Sequence, residues 1–145
     1  MALRRDEWLL LFIGLPGDRY PTDRIRLMKG LFLFSQQGPV AVGALYDFKP
    51  YDYGPFDTRV YRDLDALLAD GSVVAEPGPT PGQTLYRLTT PGEGRFSGLL
   101  ARAPKRAVGQ LAEIKQLVTR LGFVELLRDV YQRYPAYAAH SIARL

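Results

Sequence analysis

The sequence contains no cysteine and a single histidine, His140. The first absence excludes a disulfide framework, thiolate catalysis and thiolate-bound zinc or iron–sulfur clusters. The second excludes a multi-histidine metal site. His140 has no triad partner near it in sequence and reads as a surface or packing residue. Phosphate-loop signatures are missing too. There is no GxxxxGK[ST], and no GxGxxG follows a strand pattern. No apolar run approaches the ~20 residues needed to span a bilayer. The stretch from Trp8 to Gly14 is short, follows Asp6 and Glu7, and lacks a small-residue cleavage site. Asp47 and Asp52 flank a candidate strand, but nothing in their spacing marks an acid–base pair. These absences lead to the expectation of a soluble, cytoplasmic, non-catalytic chain with no metal or cofactor and no membrane partner.

What is present suits one compact domain, or a small domain with a helical appendage, in 145 residues. Hydrophobic residues make up 47% and charged residues 23%, so a packed core is expected and disorder is not. Basic residues number 19 and acidic residues 15, a net charge of +4. That charge is unevenly placed. Residues 1–94 hold 10 basic and 12 acidic residues, whereas residues 95–145 hold 9 basic and 3 acidic. The balance is therefore −2 and then +6, and any polyanion is expected near the C-terminal helices.

Hydrophobic spacing lays out the elements. A first helix spans about Leu3 to Gly14. Leu15 to Pro21 is a connection. Thr22 is the expected N-cap of a second helix to about Gln37, whose wide apolar stripe marks it as buried. Gly38, Pro39 and Gly43 weaken the next stretch. Tyr46 to Tyr53 alternates aromatic and polar residues, as an edge strand containing proline does, and Gly54-Pro55 is expected to break it. Asp57 caps a third helix to Asp70, with Gly71 as its C′ residue. Ser72 to Glu76 and Thr84 to Thr89 form a hairpin around a loop rich in proline and glycine. Thr90 and Pro91 open a fourth helix as N-cap and N1. Pro104 and Gly122 separate a fifth and a sixth, and Pro135 opens a short terminal helix. The expected fold class is mainly α with a small antiparallel β hairpin: a winged helix-turn-helix over residues 1–94, then a C-terminal helical extension, 95–145, packed on it.

Two clusters carry a resemblance. The first is Tyr51-Asp52-Tyr53-Gly54-Pro55-Phe56, preceded by Lys29-Gly30-Leu31-Phe32 and followed by Val60-Tyr61-Arg62-Asp63-Leu64. The second is Val130-Tyr131-Gln132-Arg133-Tyr134-Pro135, with Ser141-Ile142 beyond it. Together they resemble the YwgA-like proteins, and the Tyr-Gly-Pro step resembles that of the SocA/Panacea antitoxin domain. Tyr86-Arg87-Leu88-Thr89 with Gly92 resembles the strand-to-helix exit of winged-helix regulators. The resemblance implies a winged-helix-like fold with a regulatory or adaptor role, and it leaves DNA binding open, because SocA-type proteins work through protein partners. It implies no catalytic residues.

Candidate site residues follow from the winged-helix reading. The third helix offers Thr58, Arg59 and Arg62 to a major groove of double-stranded DNA, although Asp57, Asp63, Asp65 and Asp70 surround them. Arg87 is the nearest cation to a wing that carries none at its tip. Arg95, Arg102, Lys105 and Arg106 form a basic run suited to phosphates. A solvated face with local ion pairs is the plainer use of both sets. The aromatics Tyr46, Phe48, Tyr51, Tyr53 and Phe56 are expected as core on one face, or else as the lining of a small-molecule pocket. Tyr131, Tyr134 and Tyr137 are expected to pack between helices or across a homodimer interface. The leading expectation is a dimeric winged-helix nucleic-acid-binding regulator; the alternative is a protein-protein adaptor or antitoxin/defence-associated component without DNA binding, and a third reading is a small-molecule sensor with an aromatic pocket.

Overall fold

The computed structural model describes residues 2–38, 45–143 and 145. Pro39 and Gly43 lie outside the described residues. The elements are α1 (Arg5–Gly14), α2 (Arg24–Gln37), β1 (Lys49–Tyr51), β2 (Gly54–Phe56), α3 (Thr58–Ala69), β3 (Val73–Pro77), β4 (Thr84–Leu88), α4 (Thr90–Arg102), α5 (Lys105–Arg120) and α6 (Phe123–Arg133), then a 3-10 turn over Pro135–Ala138. The fold is mainly α with two antiparallel two-stranded sheets, β1-β2 and β3-β4.

α1 is the centre of the molecule. Its residues from Glu7 to Ile13 are all buried, so it is apolar on every side, as a fully enclosed helix must be. It packs against α2, α3, α4, α5 and β4. Its ends are closed from different parts of the chain. At the start, the Arg4 backbone N–H donates to the Glu7 carboxylate at 2.8 Å. At the finish, buried Lys115 on α5 donates from Nζ to the Phe12 and Ile13 carbonyls at 2.6 and 3.1 Å. Those carbonyls have no intrahelical partner, and a cation at a helix C-terminus also meets the negative end of the dipole.

Two caps sit one residue from their expected places. Asp23, not Thr22, caps α2, its carboxylate accepting from the Arg26 N–H at 2.9 Å. Thr22 instead uses its backbone carbonyl to accept from Tyr86 N–H at 3.0 Å. The pair Asp23↔Leu85 is a single antiparallel bridge to β4, a vestigial third strand on the wing. Likewise Thr89, not Thr90, caps α4, accepting from Gly92 N–H, and Pro91 falls within the first turn. Either threonine satisfies the sequence rule, and only the chain direction leaving β4 decides between them.

The step Gly54-Pro55 does not break the second β segment. It forms β2, which pairs with β1 in the register Lys49↔Phe56, Pro50↔Pro55 and Tyr51↔Gly54. Two prolines face each other. Ladder bonds alternate along an antiparallel pair, so this rung is a non-bonded one and neither missing N–H is needed. The reversal falls at Asp52-Tyr53. Neither has positive φ, so Gly54 at φ 90° supplies the left-handed step that closes the turn. This hairpin lies within residues 38–57, between α2 and α3. A helix-turn-helix needs only about three or four residues there.

The C-terminal helices share the core. α5 packs on α2 and α4 on α1. One hydrophobic cluster joins Leu9, Phe12, Leu31 and Phe32 to Leu99, Leu111, Val118, Leu126 and Val130. α6 and the 3-10 turn pack on the β1-β2 hairpin.

Candidate functional site

The cations expected at a duplex are mostly engaged by acids of the same chain. At the start of α3, Asp57 accepts from Arg59 Nη2 at 2.6 Å and from Arg59 Nε. Burial works against the Asp57 charge. Hydrogen bonds from the Arg59 side chain and from the Arg59 and Asp47 backbone N–H groups outweigh it, and hold the carboxyl at about 2. Asp63 in mid-helix accepts from Arg5 Nε at 2.7 Å and from the Tyr46 hydroxyl at 2.6 Å. Arg87 pairs with Glu76 at 2.6 Å. Arg95 pairs with Asp70 at 3.0 Å and also reaches Ser72 Oγ. Arg102 pairs with Glu7 at 3.0 Å. Thr58, Arg62, Lys105 and Arg106 are exposed and make no ion pair among the described residues. Arg95 meets the C-terminal end of α3 at Asp70, roughly 16 Å along the helix from Arg59.

The two sequence clusters that carry the resemblance converge in space. Lys29 on α2, the β1-β2 turn and Tyr131 on α6 meet at Gly54. A Cβ there would lie 3.2 Å from Leu127, 3.4 Å from the Tyr131 ring and 3.6 Å from Lys29 Cε. The close approach and the positive φ both require glycine. Beyond them, Ile142 N–H donates to the Asp52 carbonyl at 2.9 Å and fixes the turn from below. Pro55 is buried within β2, and Pro135 opens the terminal 3-10 turn.

The aromatics divide between two uses. Tyr46 and Phe48 are core. Tyr134 and Tyr137 pack edge-on against Phe32, at 5.1 and 4.6 Å, inside their own chain. Tyr51 and Tyr53 are instead 54% and 46% exposed. Tyr51 stacks on Phe56 at 5.0 Å. These residues line a cleft of about 230 Å³ together with Ile25, Met28, Lys29, Asp52, Gly54 and Tyr61. Lys29 is only 5% exposed and has no hydrogen-bond or ion-pair partner among the described residues. Burial alone pushes its ammonium down to about 8. The Tyr131 hydroxyl is buried with no hydrogen-bond partner among the described residues.

A larger groove of about 720 Å³ adjoins the cleft through Ile25. Its walls are the wing tip, Pro79 to Thr84, and the starts of α2 and α6. A polar knot anchors the wing there. Asp23 accepts from Arg26 Nη1 at 2.6 Å and from Gln83 Nε2 at 3.2 Å. Arg26 also donates to the Leu121 carbonyl at 2.8 Å and lies over the Tyr20 ring at 4.5 Å. Gln83 Oε1 and Arg26 Nε have no hydrogen-bond partner among the described residues. Tyr53 meets Phe123 edge-on at 5.6 Å at the groove's mouth.

Sequence reasoning flagged Lys29 only as part of a motif and did not single out Lys115, Asp23 or Gln83. Their signal is weak because the Asp23–Gln83 bond spans 60 residues and the Lys115 carbonyl partners lie about a hundred residues away. Among the described residues, no group of three or more acidic or histidine side chains is placed to hold a metal ion, and no helix is long and apolar enough to cross a membrane. No protein-family model matches the chain, and no curated protein matches it.

Proposed function

We propose that this is a non-catalytic winged-helix protein that acts by binding another protein, in the manner of an adaptor or antitoxin. The observation that carries this reading is the closure of Arg59, Arg87, Arg95 and Arg102 into ion pairs within the chain. Non-specific affinity for DNA comes from releasing counterions, and an arginine already matched by a carboxylate releases few. The acids Asp47 and Asp57 also flank the start of α3, the end that reads bases in a helix-turn-helix. The hairpin inserted between α2 and α3, the neutral wing tip and the groove beside it suit a protein surface. The YwgA-like and antitoxin resemblance points the same way.

Duplex DNA is the second reading, favoured by the exposed Thr58, Arg62, Lys105 and Arg106. In that reading the chain acts as a homodimer, because paired half-sites need paired recognition helices.

One pair of measurements separates the two. Fluorescence anisotropy with a labelled duplex is run at about 50 and 200 mM salt. The adaptor reading expects no saturable binding at low micromolar protein; tight binding that collapses with salt overturns it. Capture from the native host is run with wild type and with Phe123→Ser. A stoichiometric protein retained by the first and lost by the second supports the adaptor.

A further inference from the structure

The cleft between α2 and the β1-β2 turn has a floor and a rim of different chemistry. Lys29 is the buried floor, and Tyr51 and Tyr53 are the exposed rim. Ile25, Met28, Phe56 and Tyr61 complete an apolar wall. A buried cation is ordinarily matched by a carboxylate or by several carbonyls. Lys115 obeys that rule, with two carbonyls at the end of α1. Lys29, almost equally buried as a residue, makes no such bond among the described residues. Its position is enforced by glycine at 54, whose positive φ lets the hairpin close over the lysine stem.

We propose that this cleft binds a small monoanionic ligand, a carboxylate on a flat aromatic body, with the carboxylate on Lys29 and the ring against Tyr51, Tyr53 and Phe56. Size and charge select this class. A volume of about 230 Å³ accommodates one ring system, not a dinucleotide. A single ammonium balances a single negative charge. Asp52 is the one carboxylate among the lining residues, and it disfavours a dianion such as a phosphate monoester. The stacked pair Tyr51–Phe56 leaves the Tyr51 ring more than half exposed, and a planar guest can cover it. The cleft adjoins the wing groove at Ile25 and takes Tyr61 from α3, but every group it offers the ligand comes from this chain and none is a candidate DNA contact, so ligand binding needs neither a protein partner nor DNA.

The test uses the whole chain and isothermal titration, with benzoate and indole-3-carboxylate as probes. Benzamide and phenyl phosphate serve as neutral and dianionic controls. The expected result is saturable binding of a carboxylate, at least tenfold tighter than of either control. Lys29→Met, which retains the fold, should weaken carboxylate binding at least tenfold. Tyr53→Ala, at the exposed rim, should weaken it severalfold. Carboxylate binding that is equal in Lys29→Met overturns the proposal. So does the absence of binding at millimolar probe in a wild type that remains folded. Tighter binding of phenyl phosphate than of benzoate overturns the monoanion assignment.

Discussion

Replacing Lys29 with methionine should make the protein more stable, and the gain should depend on pH. Lys29 is 5% exposed and has no partner among the described residues, so the folded state holds its proton less tightly than the unfolded chain does. The ordinary value of 10.5 falls to about 8 on folding. That difference corresponds to about 3 kcal/mol against the folded state. The sign follows from proton counting. Below pH 8 both states carry the charge, and the full penalty is present. Between pH 8 and 10.5 the folded lysine has lost its proton while the unfolded one keeps it, so the penalty is progressively relieved. Above 10.5 both are neutral. Methionine keeps the length of the stem, and Met28 and Ile25 beside it accept an apolar neighbour. Urea denaturation of wild type and Lys29→Met at pH 7 and pH 10.5 measures the effect. The variant should gain about 3 kcal/mol at pH 7, or roughly 10 °C in Tm. Most of that gain should be gone at pH 10.5. Tyrosine ionisation affects both proteins alike and cancels in the difference. A loss of stability at pH 7, or a gain that is the same at both pH values, would refute the reasoning.

Lys115→Met should act in the opposite direction, although burial also pushes that lysine down, to about 7. The substitution strands two α1 carbonyls, so a loss of about 2–3 kcal/mol is expected in the same denaturation assay. Asp23→Ala removes the α2 cap and leaves Arg26 buried without its counter-ion, which should cost about 3–5 kcal/mol by urea midpoint. It should also free the wing tip, seen as faster amide exchange around Gln83. Asp57→Ala should cost about 1–2 kcal/mol at neutral pH through the lost α3 cap. The Asp57 carboxyl lies well below its ordinary 3.8, so its contribution is present above about pH 4 and lost as pH falls towards 2. Stability curves of variant and wild type should therefore converge in acid.

The helices were legible because each carries its own signal. α3 shows Val60, Leu64 and Leu67 on one face, Asp57 before it and Gly71 at φ 80° after it. The wing was legible from its turn chemistry. What stayed hidden depends on neighbours distant in sequence. Gly54-Pro55 reads locally as a break, and only Pro50 directly opposite turns it into a strand. Arg95 and Arg102 read as part of a basic run, and only the folded chain brings Asp70 and Glu7 to hydrogen-bonding distance. Residues 51–56 and 131–135 are conspicuous as separate clusters, yet their common centre at Gly54 is a product of packing. The different settings of Lys29 and Lys115 are beyond any local rule, because the partners of Lys115 are the Phe12 and Ile13 carbonyls, about a hundred residues away.

The enclosure of α1 also sets an order of events during synthesis. A helix apolar on every side has no stable solvent-exposed form, and one of the groups that ends it arrives about a hundred residues later. At ribosomal rates of about 5–20 residues per second, the segment from Trp8 to Ile13 waits for several seconds before α5 emerges. Over that interval it is a sticky, unclosed strip on a nascent chain. The first helix thus gains the hydrogen bonds that close its end only once α5 is in place.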